Sequence, residues 1–497
     1  MGAAVANLLG LDSYHDLAAA HPTAHAQTTM PTALGGLGIR QMETILDAAY
    51  VASWMDVRQT IIDRAQTNPL RQLLRQDPAA PESPAVDWNQ HPSLAEFREA
   101  RDRLAASHTE GRNYLEQARQ RAPWAVQVLR EAGRLLEPRN QDEDEDEDLN
   151  PDRIRLLDGI PAIGQMEPSD DPGTLPESNT GRQRYFTAVV ERASFLRRAL
   201  GNIRPPDRDR IMSAAGPFAG AFLNTFPKKT TIDNHWAPGR LRTAMQLRCG
   251  LPITIISKRP RVEYCTCTRR TPLLPDGRHC LAGNCNRYYL VSQRHNMVSA
   301  ALAKALRYAQ VPCKIEQRSH LREADAGRLT IGICDIKTDP WPTQHGQGHP
   351  VAIDVTVVQP EETAALPGAG AAEAERDKEE LYQQPIDHAT EFVPFALEHF
   401  GRPGQQALQF VHRISTLPTV FRGLQDQGYR THDPRTGKPY RIIVNMYKTW
   451  IMQRISTALM QGMAACIHER LHRIHRDRTA PEFRDLPHIN LDGFGRN

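Results

Sequence analysis

Four of the eight cysteines lie between positions 265 and 285, together with a histidine. The five residues are Cys265, Cys267, His279, Cys280 and Cys285. Zinc binds four soft or borderline ligands in a tetrahedron, and two short turns about a dozen residues apart can supply them. Cys265 and Cys267 fit the first turn, and Cys285 fits the second with either His279 or Cys280. The spacing predicts a structural zinc site, and the alternative is a group of reduced, buried thiols.

Two aspartates interrupt apolar, β-branched segments further along the chain. Asp335 ends one segment, and Asp354 lies inside the next, between Ile353 and Val355. A lone buried carboxylate is costly, but the cost is offset when two carboxylates share a divalent cation. Mg²⁺ prefers such hard oxygen ligands and keeps several waters for a substrate phosphate. Lys378 could reach a metal-bound water or a phosphate. The alternative is that the acids cap strand ends and that Lys378 lies on a solvated helix face.

The elements that must position these acids follow from a change of hydrophobic period. The pattern predicts a helix over 296–309, strands over 329–336 and 351–358, a helix over 370–383 and a further strand beginning at Glu391. We therefore expect an α/β core over 296–401, with both helices packed on a sheet that carries the two aspartates.

The rest of the chain is helical in period except for one segment. Residues 138–180 are charged, rich in Pro and Gly, and contain an unbroken acidic run from Asp142 to Asp148. Such a segment buries too little apolar surface to fold, so we expect a disordered linker there. The overall expectation is a multi-domain α+β protein. Its remaining parts are a helical region (1–137), a helical spacer (181–257), the Cys/His region (258–295) and a helical C-terminal region (402–497).

Composition excludes few function classes. The chain has 497 residues and a formal net charge of +3, and without the acidic run basic residues clearly outnumber acidic ones. This surplus favours a polyanionic partner, although many other proteins share it. No segment approaches the ~18 consecutive apolar residues of a membrane span, and the N-terminus lacks the basic region of a signal peptide. We expect an intracellular protein with no membrane partner.

Several motifs occur in a specific order. Arg294-His295-Asn296 follows the cysteine cluster, Asp335 comes next, and Asp354-Val355-Thr356-Val357 contains the second acid. Lys378 and Tyr382 share the next predicted helix, and Phe392 to Gly401 follows it. This order resembles the C-terminal part of non-LTR retrotransposon, reverse transcriptase-like proteins with a Cys/His zinc knuckle and a restriction-like PD-(D/E)xK endonuclease. The resemblance covers roughly residues 30–60 and 210–465, and region 1–137 resembles the part after the polymerase thumb.

Two of the departures from that family pattern bear directly on function. Thr356 stands where the family often has a lysine, so Lys378 must supply the cation from the helix. The paired-aspartate signature of a polymerase, Tyr-x-Asp-Asp or an equivalent, does not occur in the sequence. We therefore expect no reverse transcription from this polypeptide.

The resemblance implies a metal-dependent DNA endonuclease that nicks a target site. In this interpretation Asp335 and Asp354 hold Mg²⁺, Lys378 orients or activates the attacking water, and Glu316 is a further candidate acid. The knuckle and four basic residues would bind the nucleic-acid backbone by charge; the residues are Lys258, Arg259, Arg261 and Arg294. The implied partners are target DNA and the element's RNA, and the implied location is the nucleus. The alternative is a non-catalytic nucleic-acid-binding remnant of a truncated or decayed element.

Overall fold

The computed structural model describes the following parts of the chain. The described residues are 2–39, 42, 45–54, 92–133, 179–201, 203–225, 236–258, 263–265, 267–281, 285, 289–318, 321–322, 333–340, 342–343, 346–359, 366–382, 384–385, 390–426, 430–432 and 440–477. The predicted linker 138–180 lies outside the described residues except for its last two positions.

The chain forms two compact units. The smaller comprises residues 29–31 and 38–204, and the larger comprises 1–28, 32–37 and 205–497. The expected helical region 1–137 is therefore divided, because its first segment folds with the C-terminal residues. None of the helices in the described part of the chain is long and apolar enough to span a membrane.

The smaller unit is helical. Its long helices are α4 (Pro92–Arg121) and α6 (Asn179–Leu200), which pack against each other, and the short α5 (Pro123–Glu131) lies beside them. Pro123 begins α5, a position where its missing N–H costs nothing. The rings of Trp124 and Phe195 meet edge to face, with centroids 6.0 Å apart, and join α5 to α6.

The larger unit contains twelve further α-helices among the residues that the structure describes. They are α1 (Gly2–Leu9), α2 (Tyr14–Ala20), α3 (Pro22–Thr29), α7 (Pro205–Ala214), α8 (Pro238–Cys249), α9 (Thr254–Ser257), α10 (Arg278–Leu281), α11 (Tyr289–Tyr308), α12 (Ala369–Leu381), α13 (Gln405–Ser415), α14 (Pro418–Gln425) and α15 (Arg441–Asp477). A short 3₁₀ helix, Ala221–Asn224, follows α7.

A fully buried arginine fastens the N-terminal segment to the rest of the larger unit. The guanidinium of Arg248 donates to the carbonyl oxygens of Gly36 and Thr32 at 3.1 Å, of Ala219 at 3.2 Å and of Ala214 at 2.9 Å. Burial lowers the pKa of Arg248 to about 10, yet the group stays charged at neutral pH. Four carbonyl dipoles offset the cost of burying this cation.

The larger unit also carries the strands found in the described part of the chain. They are β1 (Cys313–Arg318), β2 (Leu321–Arg322), β3 (Ile333–Thr338), β4 (Pro342–Thr343), β5 (Gly346–Gln347), β6 (Val351–Val358), β7 (Gln384–Pro385) and β8 (Glu391–Glu398). The main sheet has the order β1-β3-β6-β8. Its first three strands are antiparallel, and β6 and β8 are parallel, joined through α12. The chain is therefore an α+β protein, as expected, with a small mixed sheet.

The core of the larger unit lies between this sheet, α11 and α15. The apolar stripes of the two helices meet along most of α11, and strands β6 and β8 present Ile353 and Phe395 to them. Helix α11 begins seven residues before the predicted start at 296, whereas its end agrees with the prediction. The predicted strand 351–358 matches β6, and the predicted helix 370–383 matches α12 closely.

Candidate functional site

Three cysteines and a histidine converge in the larger unit. The Sγ atoms of Cys265, Cys267 and Cys285 and a ring nitrogen of His279 all lie within 4.8 Å of one another. The Cys265 and Cys285 sulfurs are 3.8 Å apart, and Cys267 Sγ is 3.6 Å from His279 Nε2. Zn–S bonds of ~2.3 Å in a tetrahedron require separations of ~3.5–4 Å between ligands. The group could therefore bind a metal such as zinc.

Two tight turns bring these ligands together. In the first, the Cys265 N–H donates to the Thr271 carbonyl and the Arg270 N–H donates to the Cys267 carbonyl, both at 2.9 Å. The second turn has Gly277 at φ 68°, where a Cβ atom would come within 2.4 Å of Ile253 Cδ1. Only glycine fits this position, since it tolerates positive φ and has no side chain. The Arg278 N–H donates to Asp276 Oδ1 at 3.1 Å and opens the helix that carries His279.

The choice between His279 and Cys280 is decided by the direction of the two side chains. Cys280 is fully buried in the apolar core and lies outside the ligand group. Burial raises the pKa of the Cys280 thiol to about 12, so this side chain stays a neutral thiol. His279 is half-buried beside Cys267. The structure therefore gives a Cys₃His set.

A buried arginine from the terminal helix contacts two of the sulfurs. Arg470 Nη1 donates to Cys265 Sγ at 3.1 Å and to Cys285 Sγ at 2.8 Å. Burial raises the pKa of Cys265 to about 11 even though Arg470 acts in the opposite direction. Three thiolates carry one more negative charge than Zn²⁺ neutralises, so a guanidinium beside them balances the set. Our sequence reasoning missed Arg470, which is 185 positions from Cys285.

The two predicted acids lie side by side on neighbouring strands. Antiparallel pairing of Ile336 with Ile353 brings the adjacent residues, Asp335 of β3 and Asp354 of β6, opposite each other. The carboxylate of Asp335 also accepts a hydrogen bond from the Val355 N–H at 2.6 Å. That bond holds the Asp335 side chain against the middle of β6, beside Asp354.

A histidine completes a second group of potential metal ligands. His295, Asp335 and Asp354 each offer one ligand atom, and these three atoms lie within 4.8 Å of one another. His295 Nε2 is 3.0 Å from Asp335 Oδ2, and its Nδ1 is 3.1 Å from Asn296 Oδ1. Burial lowers the pKa of His295, but the bond to Asp335 and the charge on it outweigh burial, so the net shift is upward. His295 belongs to the Arg294-His295-Asn296 motif, but the sequence alone does not indicate a role as a metal ligand for it.

The predicted lysine points into the same site. Lys378 Nζ lies 2.8 Å from Asp354 Oδ2, and the aromatic ring of Tyr382 is 5.7 Å from the ammonium. Burial raises the pKa of Asp354, the Lys378 ammonium lowers it, and Asp335 raises it further. The net shift is upward. Burial and the neighbouring Asp335 carboxylate therefore disfavour the ionised form of Asp354 more than the Lys378 ammonium favours it.

Of the four residues expected to bind nucleic acid, the structure describes Lys258 and Arg294. The prediction that Arg294 binds the nucleic-acid backbone is wrong, because the guanidinium of Arg294 is buried. The guanidinium donates to the Val357 carbonyl at 3.1 Å and lies 2.8 Å from His399 Nε2. It ties α11 to β6 and cannot reach a phosphate. Lys258 is exposed at the end of α9. Three other candidates lie outside the described residues or side chains: Arg259, Arg261 and Glu316.

Comparison with known proteins adds no relative. No known protein family matches the chain, and no curated protein matches it.

Proposed function

We propose that this chain is a metal-dependent DNA endonuclease, the target-site nicking portion of a non-LTR retrotransposon protein. One observation carries the proposal: Asp335, Asp354 and Lys378 meet beside the two central strands of the sheet although they come from three separate elements. Two carboxylates and a lysine ammonium are the groups that metal-assisted phosphodiester hydrolysis needs.

The acidic group fits a small divalent cation. It offers two carboxylates and one imidazole nitrogen, a donor set suited to Mg²⁺ or Mn²⁺. A bound ion would polarise the scissile phosphate and lower the pKa of an attacking water. Without one, the two carboxylates repel each other, which is part of the reason that the pKa of Asp354 is raised.

The protein's own groups hold this site in place. The Val355 N–H and His295 fix the Asp335 carboxylate from two directions, at 2.6 Å and 3.0 Å from the same oxygen. Lys378 supplies a positive charge, part of it exposed to solvent, that can stabilise negative charge on a phosphate oxygen. The resembled family often has a lysine at the position of Thr356. In this proposal Lys378 of α12 supplies the positive charge instead.

The Cys₃His group has a structural role in this proposal. It joins two turns to the terminal helix through Arg470 and lies in the same core as the sheet. Bound zinc would hold this region folded, as structural zinc sites do. Lys258, which is exposed, would add charge for a DNA or RNA backbone together with Arg259 and Arg261 of the sequence, and a nuclear location would accompany this activity.

The test is a nicking assay on supercoiled plasmid with Mg²⁺ and the full chain. Wild type should convert supercoiled DNA to the open circular form, and Asp354→Ala should not. Asp377→Ala is the matched control, since Asp377 is an exposed acid on the same helix as Lys378. Equal nicking by wild type and Asp354→Ala would reject the assignment. No nicking by wild type, with DNA binding retained, would favour a non-catalytic nucleic-acid-binding remnant.

A further inference from the structure

Helices α11 and α15 share a half-exposed group of aromatic and basic side chains away from the acids. The Tyr308 ring meets the Trp450 ring edge to face, and the Tyr447 ring stacks on Trp450 at an interplanar angle of 26°, each with centroids 5.2 Å apart. The Arg454 guanidinium lies 4.4 Å from the Trp450 centroid and 5.3 Å from that of Tyr308. With Lys304, these residues are called the aromatic–basic face below.

This face is open to solvent. Tyr308 is 52% exposed, and Tyr447, Trp450, Arg454 and Lys304 are all half-buried. An aromatic ring that only fills a core is normally covered, whereas about half of the Tyr308 side chain is exposed to water.

The two helices that form the face carry no acidic residue nearby. Helix α11 contains no Asp or Glu, and α15 contains none before Glu469. Lys304 and Arg454 lie close enough that Arg454 adds to the lowering of the Lys304 pKa that burial causes. Two neighbouring cations beside stacked rings attract an anion that also has a flat, apolar surface.

We propose that the aromatic–basic face binds single-stranded nucleic acid. Bases stack on aromatic side chains and on arginine planes, while cations bind the phosphates between them. A duplex keeps its bases stacked inside and cannot offer them to Tyr308 or Trp450, so the face selects unpaired strands. Lys304 follows His295 by nine positions on α11, about 13 Å along the helix axis at 1.5 Å per residue. Nine positions are about two and a half helical turns, so Lys304 lies on the opposite side of α11 from His295, and this face is separate from the acids.

The proposal goes beyond cleavage and needs no divalent cation. Its test is the affinity of the full chain for a fluorescent oligo-dT, measured by anisotropy without Mg²⁺. Tyr308→Ala should weaken binding roughly tenfold, the cost of losing about one stacked base. Arg454→Gln should weaken it and lessen its salt dependence. Arg422→Gln is the matched control, since Arg422 is an exposed arginine on a different helix, α14.

Two further measurements separate this surface from the proposed catalytic site. Asp354→Ala should bind oligo-dT as wild type does, whether or not wild type nicks plasmid. A duplex of the same length should bind more weakly than oligo-dT and should not respond to Tyr308→Ala. Unchanged oligo-dT binding by folded Tyr308→Ala and Arg454→Gln would overturn the proposal. A face that serves a protein partner would give that result.

Discussion

The ammonium of Lys378 and the carboxylate of Asp354 are in direct contact, with Nζ 2.8 Å from Oδ2. The pair joins α12 to β6 at the point where Asp335 approaches from β3. One cation thus faces two carboxylates, which leaves a site that is richer in negative charge than in positive charge. A divalent ion and a phosphate together would complete the charge balance of such a site.

The contact predicts how loss of the lysine affects cleavage. Lys378→Ala should slow plasmid nicking by on the order of 10²-fold, the typical cost of losing one stabilising group for transition-state charge. Its dependence on Mg²⁺ concentration should stay close to that of wild type, because both carboxylates remain. Lys378→Arg should recover part of the rate. Equal nicking by Lys378→Ala and wild type would show that the ammonium only balances Asp354.

Metal binding can be measured without any catalysis. A ligand that binds only the folded protein raises its stability, by about 2.7 kcal/mol at one hundred times its Kd. Mg²⁺ or Mn²⁺ should therefore raise the thermal unfolding temperature of wild type but not that of Asp354→Ala. Asp377→Ala should respond as wild type does. An equal shift in all three proteins would place the binding elsewhere.

His295 predicts a pH dependence of stability in the absence of divalent ions. Its pKa is raised in the folded protein, chiefly through Asp335 working against burial. A group with a raised folded pKa contributes stability that is complete below its unfolded pKa, near 6.5, and is lost as the pH rises through the folded pKa. Wild type should therefore lose its advantage over His295→Gln as the pH rises above about 6.5. Urea unfolding at several pH values would measure this, and a constant difference would contradict it.

Residue types alone indicated much of the candidate site. An aspartate within a β-branched run had to be stabilised by a partner, and β3 and β6 supply one by bringing Asp335 and Asp354 together. Cys265, Cys267 and Cys285 were recognisable because clustered thiols have few other uses in such a chain. These inferences depend on local spacing, which the sequence displays directly.

The inferences that failed depend on packing between distant segments. Arg294 resembled a phosphate ligand, but its guanidinium is buried against the Val357 carbonyl. Arg470 gave no signal, since its partners are sulfurs far away in the chain. The N-terminal segment folds with the C-terminal residues through contacts such as that of Gln246 Nε2 with the Leu9 carbonyl, at 2.7 Å. Helical period predicts an element but not the surface against which it packs.

The two alternatives for the fourth zinc ligand give different metal contents. His279→Ala should lower the zinc retained after dialysis, because it removes one of the four converging ligand atoms. Cys280→Ser should retain zinc at the wild-type ratio, although a polar atom in that buried position will reduce stability. Metal analysis of the purified proteins decides the point. Zinc loss in Cys280→Ser with retention in His279→Ala would reverse the assignment.

Arg470 should tune the affinity of the zinc site from outside the ligand set. Its two N–H···S contacts lie on thiolates that would otherwise be buried with excess negative charge. Hydrogen bonds to charged groups contribute about 1.5–3 kcal/mol, so Arg470→Met should weaken zinc binding by at least roughly tenfold in competition with a chelator. Arg470→Lys keeps the positive charge but loses the planar guanidinium, so its zinc affinity should lie between those of wild type and Arg470→Met.

The control for this effect is a neighbouring arginine on the same helix. Arg473 pairs with Glu469 at 2.8 Å on the partly exposed side of α15, so Arg473→Met alters helix charge without touching a sulfur. It should bind zinc as wild type does. If Arg470→Met and Arg473→Met have equal zinc affinities while both stay folded, the guanidinium has no part in holding the metal. A specific loss in Arg470→Met would mean that the terminal helix and the zinc site stabilise each other, since coupling between two sites is reciprocal.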